Sequence, residues 1–227
     1  VESCIKDVVE IGAKLKSGEW RVKSVVDNLE DDDGYVEEDM HRERVLRLIN
    51  RVTALDRKND ALRLKLKAKD LRESQKNLIR AELDKNFKSI IRLCRKVKFS
   101  KRQTDRMVSR LKGFLAEIED AERAIQRCKD KTGLTLAQME KAWVRMKGSS
   151  AEAKRVAREM KVSVERLRES ESTVKEANRR VKKASQSVGL PASTLKKVVL
   201  TIEKGENHAE TARRKLVEAS LRLVVSI

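Results

Sequence analysis

The sequence is poor in the residues that build turns and in those that fill a large core. Its 227 residues hold one proline and eight glycines, and aromatics make up 3%. Sandwiches, barrels and doubly wound sheets need many Gly- and Pro-rich turns, so those folds are excluded as readings. Few aromatics beside 40% charged residues imply a thin core, which suits elongated helices better than a compact enzyme domain. No run of about 18 apolar residues occurs, so no transmembrane helix is expected. Cys4, Cys94 and Cys128 are three, widely spaced and without a C-x-x-C, which points to a reducing cytosol. His41 and His208 stand far apart and away from any cysteine, so a His/Cys zinc site is not expected, and both read as solvated surface residues. The start, Val1-Glu2-Ser3-Cys4, has neither the basic nor the apolar region of a signal peptide and lacks an initiator Met. The end stops on the apolar Leu223-Val224-Val225-Ser226-Ile227, so the sequence reads as a piece of a longer protein.

What is present is charge and helical periodicity. Lys and Arg number 54 against 36 Asp and Glu, a net charge of +18. Ile5, Val8, Val9, Ile11 and Leu15 predict a short amphipathic helix ended by Ser17-Gly18, and Val22, Val25, Val26 and Leu29 a second from about Trp20. Residues 1–29 thus form short N-terminal helices, and the acidic run at 30–39 reads as a solvated loop. From about Glu38, Val45, Leu48, Val52, Leu55, Leu62 and Leu66 follow spacings near three and four, with Asn59 in the seam. A related stripe runs from Leu71 through Leu78, Phe87, Ile90 and Ile91 to Cys94. Lys98-Phe99-Ser100 breaks it, with Ser100 placed to cap the next helix.

The most regular seam is Met107, Leu111, Phe114, Ile118, Ala121, Ile125 and Cys128, ended by Gly133. Thr135 is placed to cap a short helix that ends at Gly148. Ser149 or Ser150 is expected to start one long helix through Ala153, Met160, Leu167, Val174 and Val181, on the order of 50–60 Å long. An internal repeat recurs at an offset of 56: Gly133-Leu134 with Gly189-Leu190, Ala153 with Ala209, Arg166-Leu167 with Arg222-Leu223. Each copy reads as a Gly-Leu turn, a short helix, a glycine break and a long basic helix. The fold class is therefore all-α, an elongated bundle of long and short helices with coiled-coil-like seams over 40–187.

Catalytic signatures are missing. There is no phosphate-cradling glycine loop and no G-x-S-x-G, and the paired carboxylates fall in helical sequence rich in Lys and Arg. No enzyme activity, cofactor, metal or small-molecule substrate is expected. The basic excess gathers at Arg92, Arg95, Lys96, Lys98, Lys101 and Arg102, at Arg179, Arg180, Lys182 and Lys183, and at Arg213, Arg214 and Lys215. Such clusters attract phosphates, and with so few aromatics any DNA contact should be to backbone rather than bases.

The last 40 residues carry a resemblance. Gly205-Glu206-Asn207-His208-Ala209, followed by Ala212-Arg213-Arg214-Lys215-Leu216-Val217-Glu218-Ala219-Ser220-Leu221-Arg222-Leu223-Val224-Val225-Ser226-Ile227, resembles the opening of region 2 in primary bacterial sigma factors. Gly189-Leu190 and Gly133-Leu134 look like that family's turn before the region, and Ser220 stands where the family usually has Asn. The helical, variable remainder is similar to the family's non-conserved region. The resemblance implies a cytoplasmic parent that binds RNA polymerase core and directs it to promoters for transcription initiation. It implies that 188–227 starts the core-binding domain. Leu216, Val217, Leu221, Leu223, Val224 and Ile227 would then pack that domain, while Arg213, Arg214, Lys215 and Arg222 would face polymerase or DNA phosphate. The segment should be a monomer. The alternatives are a generic coiled-coil scaffold and an independent basic DNA-binding module.

Overall fold

Apolar residues three and four apart share a face of an α-helix, and the chain answers its own pattern with helices. The structure, a computed structural model, describes residues 2–27, 38–66 and 71–225. These form α1 (Glu2–Lys16), α2 (Glu38–Leu66), α3 (Glu73–Val97), α4 (Lys101–Thr132), α5 (Leu136–Met146), α6 (Ser150–Met160), α7 (Val164–Val188) and α8 (Ala192–Val225). Most of the acidic run, residues 30–37, lies outside the described residues, while Glu38 and Asp39 open α2. The fold is all-α, and the one β-type contact among the described residues is an isolated bridge between Val26 and Phe99. The chain divides into two compact units, Val1–Ser109 and Arg110–Ile227.

In the first unit α2 is the central helix. Ile5, Val8, Ile11 and Leu15 of α1 meet Val45, Ile49 and Val52 of α2 and Ile90 and Val97 of α3 in one buried cluster. Gly12 lets α1 approach closely, since a Cβ there would lie 2.5 Å from Ile49 Cγ2. Arg63 of α2 pairs with Glu2 at 2.7 Å, and Arg42 donates to the Leu15 and Lys16 carbonyls, so α1 and α2 run antiparallel. The predicted helix from Trp20 to Leu29 does not form in its described part. Val22–Ser24 make a single 3₁₀ turn, and the strand-like step after it docks on the α3–α4 corner. Ser100 N donates to Val25 O, and Asp27 N to Lys98 O. Three valines in five residues favour this extended docking over a lone helical turn. Ser100 does stand before α4, but its hydroxyl donates to the Ser24 carbonyl instead of capping the helix. Leu78 and Ile91, placed in the seam by spacing, are exposed.

The second unit follows the predicted punctuation closely at first. Gly133 and Gly189 adopt φ of 67° and 72°, the left-handed conformation that glycine takes without a Cβ penalty. Thr135 caps α5 in a reciprocal box: Gln138 N donates to Thr135 Oγ1, and Thr135 N donates to Gln138 Oε1. The expected single helix after Ser149 is two. α6 ends at Lys161, which turns left-handed at φ 54°, and Ser163 caps α7 by accepting from Arg166 N. The turn is held because Val162 N reaches back to the Ala157 carbonyl, and Val162 packs with Val156, Ala157 and Leu167. The break expected near Gly205 is absent. α8 runs through it unbroken, since the equivalent of the Gly148-Ser149 stop is Lys204-Gly205, which offers no capping hydroxyl.

The offset-56 repeat is therefore structural in its first half only. Met139 and Leu195 are both fully buried, and Trp143 and Val199 nearly so. Beyond them, Leu167 is fully buried between helices whereas its counterpart Leu223 is 67% exposed. Lys112–Glu206 at 2.8 Å and Lys196–Glu119 at 3.9 Å set α8 antiparallel to α4.

Candidate polyanion-binding surfaces

From Glu203 to Leu223 every residue of α8 is exposed. Leu216, Val217, Leu221 and Leu223 stand 51–69% exposed along it. The side chain of Val224 and the whole of Ile227 lie outside the described residues. At 3.6 residues per turn, Leu216, Val217, Ser220, Leu221 and Leu223 form one apolar stripe. The four predicted cations do not share a single opposite face. Lys215 and Arg222, seven apart, do so, while Arg213 falls in line with Val217 and Ser220. Arg214 is engaged with Glu210 at 3.3 Å, one turn earlier.

Of the other basic clusters, Arg179 is paired with Glu176 at 3.0 Å, and Arg180, Lys182 and Lys183 are exposed on α7. Arg92, Arg95, Lys96, Lys98, Lys101 and Arg102 are exposed around the α3–α4 corner. Folding divides this run. Lys96 joins α2, whereas Arg102 lines a hollow with Arg21 and Arg106 beside Trp20, whose ring lies under Lys14 at 4.7 Å and Arg106 at 5.4 Å.

A further concentration of positive charge in the first unit is not visible as a run. A groove of about 620 Å³ is lined by Met40, His41, Arg44, Arg47, Leu48 and Arg51 of α2 and by Lys96 of α3. Arg44, Arg47 and Arg51 lie three and four apart, hence on one helix face. Among the described residues no carboxylate lines the groove, and none of its four cations forms an ion pair. His41 is half-buried rather than solvated, and its Nε2 is buried without a hydrogen-bond partner among the described residues. The signal that could have found this site was the arginine spacing, which a search for adjacent basic residues overlooks. The groove can hold anionic groups in series. It offers no paired acid and base, no nucleophile with an adjacent base, and the described residues contain no group of three or more metal-ligating side chains.

No helix among the described residues is long and apolar enough to cross a membrane. No protein-family model matches the chain, and a search of curated proteins finds no match.

Proposed function

We propose that this chain is the interdomain helical region and the first region 2 helix of a primary sigma factor. It is a non-enzymatic, cytoplasmic segment of an initiation factor that brings RNA polymerase core to promoters. The observation that carries the reading is α8. The residues that resemble region 2 are the ones that form a regular helix on which Leu216, Val217 and Leu221 stand more than half exposed. An exposed stripe of Leu216, Val217, Leu221 and Leu223 is costly in water, and a partner surface that covered it would remove that cost. The Arg44–Arg47–Arg51–Lys96 groove supplies DNA-backbone contacts, which is the kind of contact its charge without aromatics supports.

The coiled-coil scaffold makes a different demand. It needs the Met107–Cys128 seam free to pair with another chain, yet Leu111, Ile118, Ala121 and Cys128 of that seam are already buried within one chain. Sedimentation of the purified chain should give a monomer, and an oligomer would favour the scaffold. The direct test is capture of RNA polymerase core by the chain extended beyond Ile227, with Leu216→Asp and Leu223→Asp as disrupting changes. Failure of the extended chain to bind core overturns the proposal. Charge reversal at Arg213, Arg214 and Lys215 tests their surface role: unchanged holoenzyme assembly and unchanged salt sensitivity of the promoter complex would remove it.

A further inference from the structure

A further concavity lies wholly within the second unit. Ala124, Arg127, Cys128 and Lys131 of α4 and Arg166, Glu169, Ser170 and Thr173 of α7 line it from two sides, with Thr132 beside them, around about 460 Å³. Both helices contribute residues at the same spacing, i, i+3, i+4 and i+7, so each presents one continuous face to the cavity. Its buried lining residues are Cys128, Thr132 and Ser170, and both hydroxyls are fixed by hydrogen bonds within the protein. Thr132 is buried and donates to the Cys128 carbonyl at 2.8 Å. Ser170 is buried, donates to Leu167 O at 2.7 Å and accepts from Trp143 Nε1 at 3.3 Å. The rim carries Arg127, Lys131 and Arg166, none of which has an ion-pair partner among the described residues. Arg127 and Lys131 stand one helical turn apart, where like charges repel. One carboxylate, Glu169, lines the cavity with the three cations.

Three cations without ion-pair partners around one concavity call for an anion of more than one charge, and the volume falls in the range of small-molecule pockets. Glu169 cannot bind an anion. It can accept hydrogen bonds from the hydroxyls of the body that carries the anion. We propose that this cavity binds a nucleoside diphosphate, its phosphates held by Arg127, Lys131 and Arg166 and its sugar hydroxyls by Glu169. The assignment rests on the second unit alone and stands apart from the parent protein proposed above.

Titration calorimetry of the 227-residue chain with ADP, sodium pyrophosphate, adenosine and a short DNA duplex tests it. Saturable one-to-one binding is expected for ADP, weaker binding for pyrophosphate and none for adenosine. Arg127→Gln with Arg166→Gln should weaken ADP by at least about tenfold, the equivalent of one lost charge-assisted contact. Lys154→Gln with Arg155→Gln, which removes the same charge from exposed positions on α6, should leave the affinity unchanged. Glu169→Gln should weaken ADP while leaving pyrophosphate equal or tighter. The replaced rim side chains are all exposed, and the helical circular dichroism signal checks that each variant folds; Lys131→Gln serves if the double variant does not. The proposal is overturned if ADP shows no saturable binding, if ADP binds no tighter than pyrophosphate, if both double variants weaken it equally, or if the duplex alone binds.

Discussion

Asn86 donates its side-chain amide to Asn59 Oδ1 at 2.8 Å across the α2–α3 interface, and both residues are buried. Asn59 Nδ2 has no partner of its own among the described residues. A polar pair in an apolar seam fixes register more than it stabilises. Replacing Asn59 alone by Leu strands the Asn86 amide, and urea unfolding should show a loss of about 1–3 kcal/mol. The double replacement by Leu should recover most of it. If the single variant is as stable as the parent chain, the hydrogen bond contributes nothing to this interface.

Gly12 and two other helical glycines should respond with opposite signs. Gly12→Ala forces a methyl into Ile49, a fully buried β-branched residue that cannot swing away, and should cost about 1–3 kcal/mol. Gly113 and Gly205 sit inside α4 and α8 with nothing within 4 Å of an added Cβ. Alanine at either should stabilise by about 0.5–1 kcal/mol through helix propensity. Thermal melts of the three variants check the order. Equal shifts would mean that the α1–α2 approach is looser than the structure has it.

The α6–α7 corner depends on one strained residue and one cap. Lys161→Gly removes the penalty of a left-handed Lys and should raise stability by up to about 1 kcal/mol. Ser163→Ala removes the acceptor for Arg166 N and should lower it by about 1 kcal/mol. Denaturation midpoints for both variants suffice, and a Lys161→Gly change that destabilises would argue for a continuous helix.

Burial, reinforced by the neighbouring Cys4 thiol, pushes the Cys94 thiol up from 9.0 to about 11. The fold therefore favours the neutral thiol. That preference costs nothing below about pH 9, and its stabilising effect is lost as pH rises from there through about 11. Cys94→Ala should flatten the alkaline fall in stability across that window. At pH 8 the thiolate of Cys94 should be about a hundredfold scarcer than that of an unperturbed cysteine, so alkylation followed by mass spectrometry should label it far more slowly than a free cysteine peptide in the same tube. Equal labelling of the two would contradict the burial of Cys94.

Much of the helix punctuation could be read from single residues because capping is local chemistry. Gly133, Thr135, Gly148 and Ser149 each mark a stop or start that needs only neighbours in sequence. Ser163 was hidden because Val162 and Val164 continue an apolar pattern across it. The segment after Trp20 failed as a helix because its partner, the Lys98–Ser100 corner, is more than 70 residues away. The groove of Arg44, Arg47, Arg51 and Lys96 was missed for a related reason. Its α2 members are separated by uncharged residues, and Lys96 reaches it only after α3 folds back.

The all-α class, the glycine stops, the Thr135 and Ser149 caps and the basic excess follow from the sequence alone, because periodicity, φ preference and charge are properties of short stretches. Which apolar stripes become core was a tertiary decision. Leu167 and Leu223 occupy equivalent places in two similar repeats, and both belong to amphipathic helices. Leu167 is buried because α5, α6 and α7 close around it, while Leu223 on α8 stays 67% exposed. Burial requires a second surface, and no stretch of sequence supplies one by itself.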